Sequence, residues 1–104
     1  MPSIEFDKKL TTVFFGHTTF WFSYGDLIAF RRGGHRFVRE NPARQTTRKN
    51  LNQIDGGNKK ERLPGDSFAA VYRYVIEENG ELPGSDTPFP ALLDFLREKG
   101  VLPL

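Results

Sequence analysis

The sequence predicts an α+β fold, in which a four-stranded antiparallel β-meander is followed by a short basic helix and two amphipathic helices. The first third of the chain alternates runs rich in Phe, Thr and Val with two-residue glycine turns, which is typical of hairpins. The last third repeats apolar residues at the spacing of a half-buried helix. With 104 residues, the chain is expected to form one domain, 1–104. Its parts are the meander over about 10–40, the basic helix and loop over about 44–65 and the helical pair over about 66–100.

Three turn signals divide the meander into strands. They are Gly16-His17, Gly25-Asp26 and Gly33-Gly34, and a glycine at the first loop position suits the tight turns of hairpins. The residues that flank a two-residue turn face each other, so these turns also fix the register. The predicted strands are 10–15, 18–24, 27–32 and 35–39.

The predicted register divides the side chains between two faces of the sheet. Face A is nearly all apolar and is expected to be core under the two amphipathic helices. Face B mixes aromatic residues with Thr, Ser, His and Arg. Face A comprises Val13, Phe15, Phe20, Phe22, Tyr24, Leu27, Ala29 and Val38, with Arg31 and Arg36 near the Gly-Gly turn. Face B comprises Leu10, Thr12, Phe14, Thr19, Trp21, Ser23, Ile28, Phe30, Arg32, His35, Phe37 and Arg39.

Three helices are predicted after Pro42. The first spans 46–55 and has little apolar surface, so it is expected to lie on the outside of the molecule. A polar loop, 56–65, follows it. The second helix is predicted over about 67–79, and the third begins near Thr87 and stops at Gly100. Their apolar faces are Phe68, Val71, Tyr72 and Val75, and Phe89, Leu92, Leu93 and Leu96.

The composition excludes several classes of protein. The sequence has no Cys, which excludes disulfides, Cys-ligated zinc and thiol catalysis and is consistent with a cytoplasmic location. No apolar run reaches the ~20 residues of a membrane-spanning helix, and the N-terminal MPSIEFDKK lacks the pattern of a signal peptide. The two His have no zinc-site spacing, and no phosphate-loop or hydrolase motif is present. We therefore expect no enzyme, no metal and no cofactor.

Positive charge is concentrated in the middle of the chain. Residues 31–62 carry ten Arg and Lys against three carboxylates, whereas the whole chain has a net charge of +2. Such a surface attracts phosphate backbones or acidic proteins, and aromatic side chains on face B would stack on the bases of a single strand. The candidate nucleic-acid-binding residues are Arg32, Arg39, Arg44, Arg48, Lys49, Lys59, Lys60 and Arg62, with Trp21, Phe14, Phe30 and Phe37 as the stacking residues.

Several interpretations of this basic and aromatic surface remain open. The leading one is a non-enzymatic protein that binds nucleic acid, with single strands favoured. The alternative is an accessory or inhibitor protein that binds an acidic surface of a host protein, and a third is a homodimer through face B or an exposed sheet edge. A purely structural interpretation competes with all three, because aromatic residues on a small sheet usually form core and charge runs usually lie in solvent.

Two sequence motifs resemble a family of small uncharacterised domains from bacteriophages and from bacterial and archaeal mobile elements. In that family an FSY-x-x-x-I-A-F hairpin precedes a TT-x-K-x-LN-x-ID helix, and the resemblance covers about residues 13–62. Arg48 and Asn50 depart from the family pattern, which has Gly and His there. The resemblance implies a small accessory protein with a binding role in a bacterial or archaeal host, and no known activity. The matching residues are Phe22, Ser23, Tyr24, Ala29, Phe30, Thr46, Thr47, Lys49, Leu51, Asn52, Ile54 and Asp55.

Overall fold

One six-stranded sheet with helices on its two sides makes up the structure, so the predicted α+β fold is confirmed. The structure is a computed structural model that describes residues 3–6, 10–40 and 45–103, with side chains described for 10–40 and 49–103. The strands are β1 (Ser3–Phe6), β2 (Leu10–Phe15), β3 (Thr18–Ser23), β4 (Asp26–Arg32), β5 (His35–Arg39) and β6 (Arg62–Leu63). The helices are α1 (Gln45–Asp55), a 3₁₀ turn (Lys59–Glu61), α2 (Gly65–Tyr72), which continues as a π-helical turn (Arg73–Glu77), and α3 (Phe89–Glu98).

The predicted meander is confirmed as β2 to β5, and the sheet extends beyond it by one strand at each edge. All neighbouring strands are antiparallel except β6, which pairs with β5 in parallel. The sequence analysis missed β1 and placed β6 inside a polar loop. A two-residue strand carries too short a pattern to be recognised, and β6 is held by its neighbours: the Glu40 N–H donates to the Leu63 carbonyl over 2.7 Å.

The turn between β3 and β4 differs from the prediction by one residue. The loop residues are Tyr24 and Gly25, with φ of 51° and 86°, rather than Gly25 and Asp26. Positive φ at both loop positions matches the twist of a hairpin, but Tyr is seldom found there. A β-bulge follows, because Phe22 pairs with Leu27 whereas the preceding Trp21 pairs with Ala29.

The shifted register overturns the predicted division into faces A and B. Phe20 pairs with Phe30, and Phe30 pairs with Phe37, so these three residues share one side of the sheet. Trp21 pairs with Ala29, and Ala29 with Val38, on the opposite side. The predicted face B therefore does not exist as a single surface.

Each side of β4 and β5 is covered by a separate helical layer, and each layer has its own core. On the first side, which we call the helical-pair side, α2 and α3 pack on Phe30 and Phe37. On the second, the α1 side, Leu51 of α1 packs on the sheet. The helical-pair core contains Phe30, Phe37, Leu63, Phe68, Val71, Val75, Leu92, Leu96 and Leu102. The α1-side core contains Ile28, Ala29, Val38 and Leu51, with Leu10, Trp21 and Ile54 packed against it.

Helix α1 is fixed to the sheet by polar contacts as well as by Leu51. The buried Asn50 side chain donates from Nδ2 to the Ser23 hydroxyl over 2.9 Å. At the other end of the helix, Arg36 Nη1 donates to the Ile54 carbonyl over 2.8 Å. Because Ser23 ends β3 and Arg36 belongs to β5, the two contacts fix the helix across three strands.

Candidate nucleic-acid interface

The predicted row of four exposed aromatic residues is not formed. Phe30 and Phe37 are fully buried, with their ring centroids 5.0 Å apart and Phe68 packed 5.6 Å from Phe30. They are therefore core residues and offer no stacking surface, which corrects the sequence prediction. Phe14 is 37% exposed and Trp21 is half-buried, and both lie on the α1 side of the sheet.

Arg62, predicted to bind phosphate, is instead a buried structural residue. Its Nε donates to Asp55 Oδ2 over 2.8 Å and its Nη2 to Asp55 Oδ1 over 2.9 Å, with a further bond to Asn52 Oδ1. The side chains of Arg62 and Asp55 are only 3% and 4% exposed. This fork-shaped pair connects β6 to the end of α1, and hydrogen bonding to Asp55 raises the pKa of Arg62.

The stabilisation from Asp55 is expected to depend on pH. Burial raises the pKa of Asp55, but hydrogen bonds from Arg62 and the Gly57 N–H outweigh it, so this pKa is lowered in the folded protein. The ionised carboxylate therefore stabilises the fold above the unfolded pKa of about 3.9, and that contribution is lost as the pH falls through the folded pKa.

Urea unfolding of the wild type and of Asp55→Asn at pH 7 and near pH 3 measures this dependence. We expect the loss of stability in the variant to be larger at pH 7. An equal loss at the two pH values would contradict the lowered pKa.

Two further predicted cations also make contacts within the fold. Arg32 Nη2 donates to Asn79 Oδ1 over 2.6 Å, and its Nη1 donates to the Thr18 hydroxyl over 3.3 Å. Arg39 is half-buried and packs closely over Gly65. If this glycine carried a Cβ atom, that atom would lie 3.3 Å from Arg39 Nη2. Arg32 is therefore held in place by hydrogen bonds, and Arg39 packs over Gly65.

The remaining predicted cations differ in what the structure describes of them. Lys49, Lys59 and Lys60 are exposed, as expected of residues that contact a ligand. Arg44 lies outside the described residues. Arg48 belongs to α1, but its side chain is outside the described part.

The structure brings together a set of residues that the sequence analysis had separated. Arg31 and Arg36 lie directly opposite each other on β4 and β5, on the α1 side, and both are exposed. Trp21 lies on the same side, two positions from the residue that pairs with Arg31. These three side chains line an open groove of about 400 Å³, together with His35, Glu61 and the apolar residues Phe89 and Leu92.

The groove holds the two guanidinium groups close together, while the carboxylate of Glu61 also lines it and Asp55 interacts electrostatically with Arg36. Arg31 donates to the Gly33 carbonyl over 3.3 Å and Arg36 to the Ile54 carbonyl, and no described carboxylate lies within 4.0 Å of either guanidinium. Like charges directly opposite each other in a sheet destabilise it. A phosphate or carboxylate between them would relieve that repulsion.

The sequence analysis missed this site because of the register between β3 and β4. It predicted the Arg31–Arg36 pair correctly but placed it on the core face, opposite to Trp21. The shifted Tyr24-Gly25 turn alone would keep the predicted sides, because it moves the strand pairing by two residues. The bulge between Trp21 and Phe22 moves the pairing by a single residue and brings the three together. The opposed arginines themselves were the available signal, since two charges on an otherwise apolar face contradict that face being core.

Metal-ligand clusters and membrane-spanning helices are absent from the described part of the chain. Among the described residues, no three His, Asp or Glu side chains cluster as metal ligands would. Nor does any described helix have the length and apolar character needed to cross a membrane.

In comparisons with known proteins, no family model, curated protein or solved structure matches the chain.

Proposed function

We propose that this protein binds nucleic acid through the groove formed by Trp21, Arg31 and Arg36. The observation that carries the proposal is the opposed pair of exposed arginines beside an accessible indole. Nucleic acid presents the matching chemistry, with a phosphate next to a base that can stack. The proposal describes a binding protein without catalysis, which suits the accessory role that the family resemblance implies.

The two kinds of side chain in the groove have complementary tasks. A guanidinium binds phosphate oxygens through a rigid fork of N–H donors, and the two arginines together offer several such donors. Stacking of a base on an aromatic side chain contributes roughly 1–3 kcal/mol. Trp21 has the largest ring system of any side chain in the chain and packs in part against the α1-side core, which leaves the rest of the indole accessible.

Exposed lysines extend the positive surface beyond the groove. Lys59 and Lys60 directly precede Glu61, which lines the groove, and Lys49 lies on α1, which packs on the same side of the sheet. Cations of this kind add sequence-independent affinity by contacting the phosphate backbone. Binding is therefore expected to weaken as salt concentration rises.

The double variant Arg31→Gln/Arg36→Gln tests the proposal. If each arginine contacts one phosphate of a single strand, the slope of log K against log salt should become shallower by about 1.4. The matched control is Arg73→Gln/Arg97→Gln, which removes the same charge from the π-helical turn and α3. Fluorescence anisotropy with a labelled strand at several salt concentrations measures both slopes. Equal slopes for the two double variants would rule out the groove as the site.

A protein partner is the second candidate, favoured by aromatic residues at the ends of the hairpins. Phe15 is 61% exposed, and Phe14 and Tyr24 are exposed as well. Aromatic side chains, Phe among them, are enriched in the cores of protein interfaces. Phe15 lies at the opposite end of the sheet from Tyr24 and on the opposite side from Phe14, so an acidic host protein or a second copy of this chain would bury Phe15 without the other two. A partner that contacts Phe15 would remain bound in Arg31→Gln/Arg36→Gln but be lost from Phe15→Ser.

A further inference from the structure

A second groove lies next to the first, on the helical-pair side of the sheet, from which His35, Phe89 and Leu92 also line the first groove. It has a volume of about 370 Å³ and is lined by His17 and Arg32 on one wall and by Leu82 and Pro83 on the other. The described residues that line it include no carboxylate. His35 also lies in its wall, where it is buried and its Nε2 is hydrogen-bonded to the Pro83 carbonyl over 2.9 Å. Among the described lining residues Arg32 carries the charge, so the groove offers a guanidinium to a phosphate.

The two grooves meet at the hairpin turn between β4 and β5. Gly34 and His35 line both of them, so a ligand that follows one groove over the turn enters the other. Gly33, at the tip of the turn, has a φ of +58°, and a Cβ built on it would have no atom within 4 Å. The backbone there is open to close approach by a ligand. Ser85 lies close to Gly34, because a Cβ added to this glycine would clash with it.

The second groove contains one cation, Arg32, among its described lining residues, and the orientation of its guanidinium is fixed. Arg32 uses two of its five N–H donors on Thr18 and Asn79, which fixes the plane of the guanidinium. The Arg32 side chain lines the groove, whose described lining residues include no carboxylate. His17 is exposed at the rim, in the turn between β2 and β3, where its ring can contact a ligand without disturbing the core.

The geometry points to a single-stranded nucleic acid that runs from the Trp21 groove across the Gly33-Gly34 turn into the second groove. This inference rests on the proposed function and adds the path of the ligand across the turn. Arg31 and Arg32 are neighbours on β4 and lie on opposite sides of the sheet, so a ligand that contacts both must bend around the turn. Duplex DNA has a persistence length of about 150 bp and cannot follow it, and its paired bases are not available to stack on Trp21. A single strand meets both conditions.

The variant His17→Glu tests the path, because it places a carboxylate at the rim of the second groove only. Ala69→Glu is its matched control: Ala69 is exposed on α2, lines neither groove and gains the same negative charge. The probes are a thymidine dinucleotide, an oligothymidylate of about eight nucleotides, within the usual site sizes for single strands, and a duplex of the same length. Thermal unfolding of both variants checks that the fold is unchanged.

We expect the wild type to bind the octamer at least tenfold more tightly than the duplex. His17→Glu should weaken octamer binding by roughly fivefold or more and leave dinucleotide binding unchanged, whereas Ala69→Glu should affect neither. Equal affinity for octamer and duplex, or equal effects of the two variants, would overturn the path while the Trp21 groove stands. Failure of the wild type to bind any of the three probes would overturn the proposed function itself.

Discussion

Arg62→Ala is expected to lower the free energy of unfolding by about 3–5 kcal/mol, because it leaves the buried Asp55 carboxylate without its partner. The loss exceeds that of an exposed ion pair, which typically contributes less than about 1 kcal/mol. It also includes the hydrogen bond to Asn52 and the anchoring of β6 beside β5. A marginally stable domain of this size would be largely unfolded by such a change.

Chemical denaturation of three proteins measures the effect: the wild type, Arg62→Ala and the double variant Asp55→Asn/Arg62→Met. The double variant removes both charges, so it should lose less stability than Arg62→Ala alone. This order separates the cost of an unpaired buried charge from the loss of packing. If Arg62→Ala were as stable as the wild type, Arg62 would be a free surface cation, as the sequence analysis had expected.

Phe30→Ala is expected to destabilise the protein by about 3–5 kcal/mol, since it removes the ring at the centre of the helical-pair core. Phe30 contacts Phe37, Phe68 and Tyr72, with centroid distances of 5.0, 5.6 and 5.6 Å. The cavity would lie between the sheet and α2. Neither element can move to fill it without breaking the hydrogen bonds between strands or within the helix. The loss therefore combines transfer energy with the cost of an unfilled cavity.

Phe14→Ala is the matched control, because it removes the same ring from an exposed position on β2. Its expected cost is under about 1 kcal/mol. Thermal or urea unfolding of the two variants compares them directly. Comparable stabilities for the two variants would mean that Phe30 is a surface residue, as the stacking prediction required, and would contradict the observed core.

The strands and helices could be predicted because their signals are local. Glycine-containing turns separate the runs that form β2 to β5, and the 3.6-residue period identifies α2 and α3. The second helix shows the limit of a periodic pattern: it was predicted as one α-helix to residue 79, but changes to a π-helical turn at Arg73. There Tyr74 folds over Gly80, with its hydroxyl bonded to the Glu81 carbonyl, a contact that periodicity does not encode.

The site could not be predicted because it depends on register and on partners that are distant in sequence. Tyr24 adopts a positive φ that its residue type does not indicate, and the β-bulge opposite Trp21 and Phe22 decides whether Trp21 shares a side with Arg31. In the sequence, Arg62 belongs to a run of basic residues, but in the folded protein it is buried against Asp55. Charge counting therefore found the basic region but could not separate its structural arginines from its exposed ones.

Tryptophan fluorescence gives the most direct test of binding at the proposed groove, since Trp21 is the only tryptophan in the chain. Titrating the wild type with the oligothymidylate octamer should quench the emission in a saturable way, and added salt should reverse the quenching. The same titration with Arg31→Gln/Arg36→Gln should need several-fold more ligand for half-saturation. Binding that leaves the emission of Trp21 unchanged, or quenching that is insensitive to salt and to the two arginines, would contradict the Trp21 groove as the nucleic-acid interface.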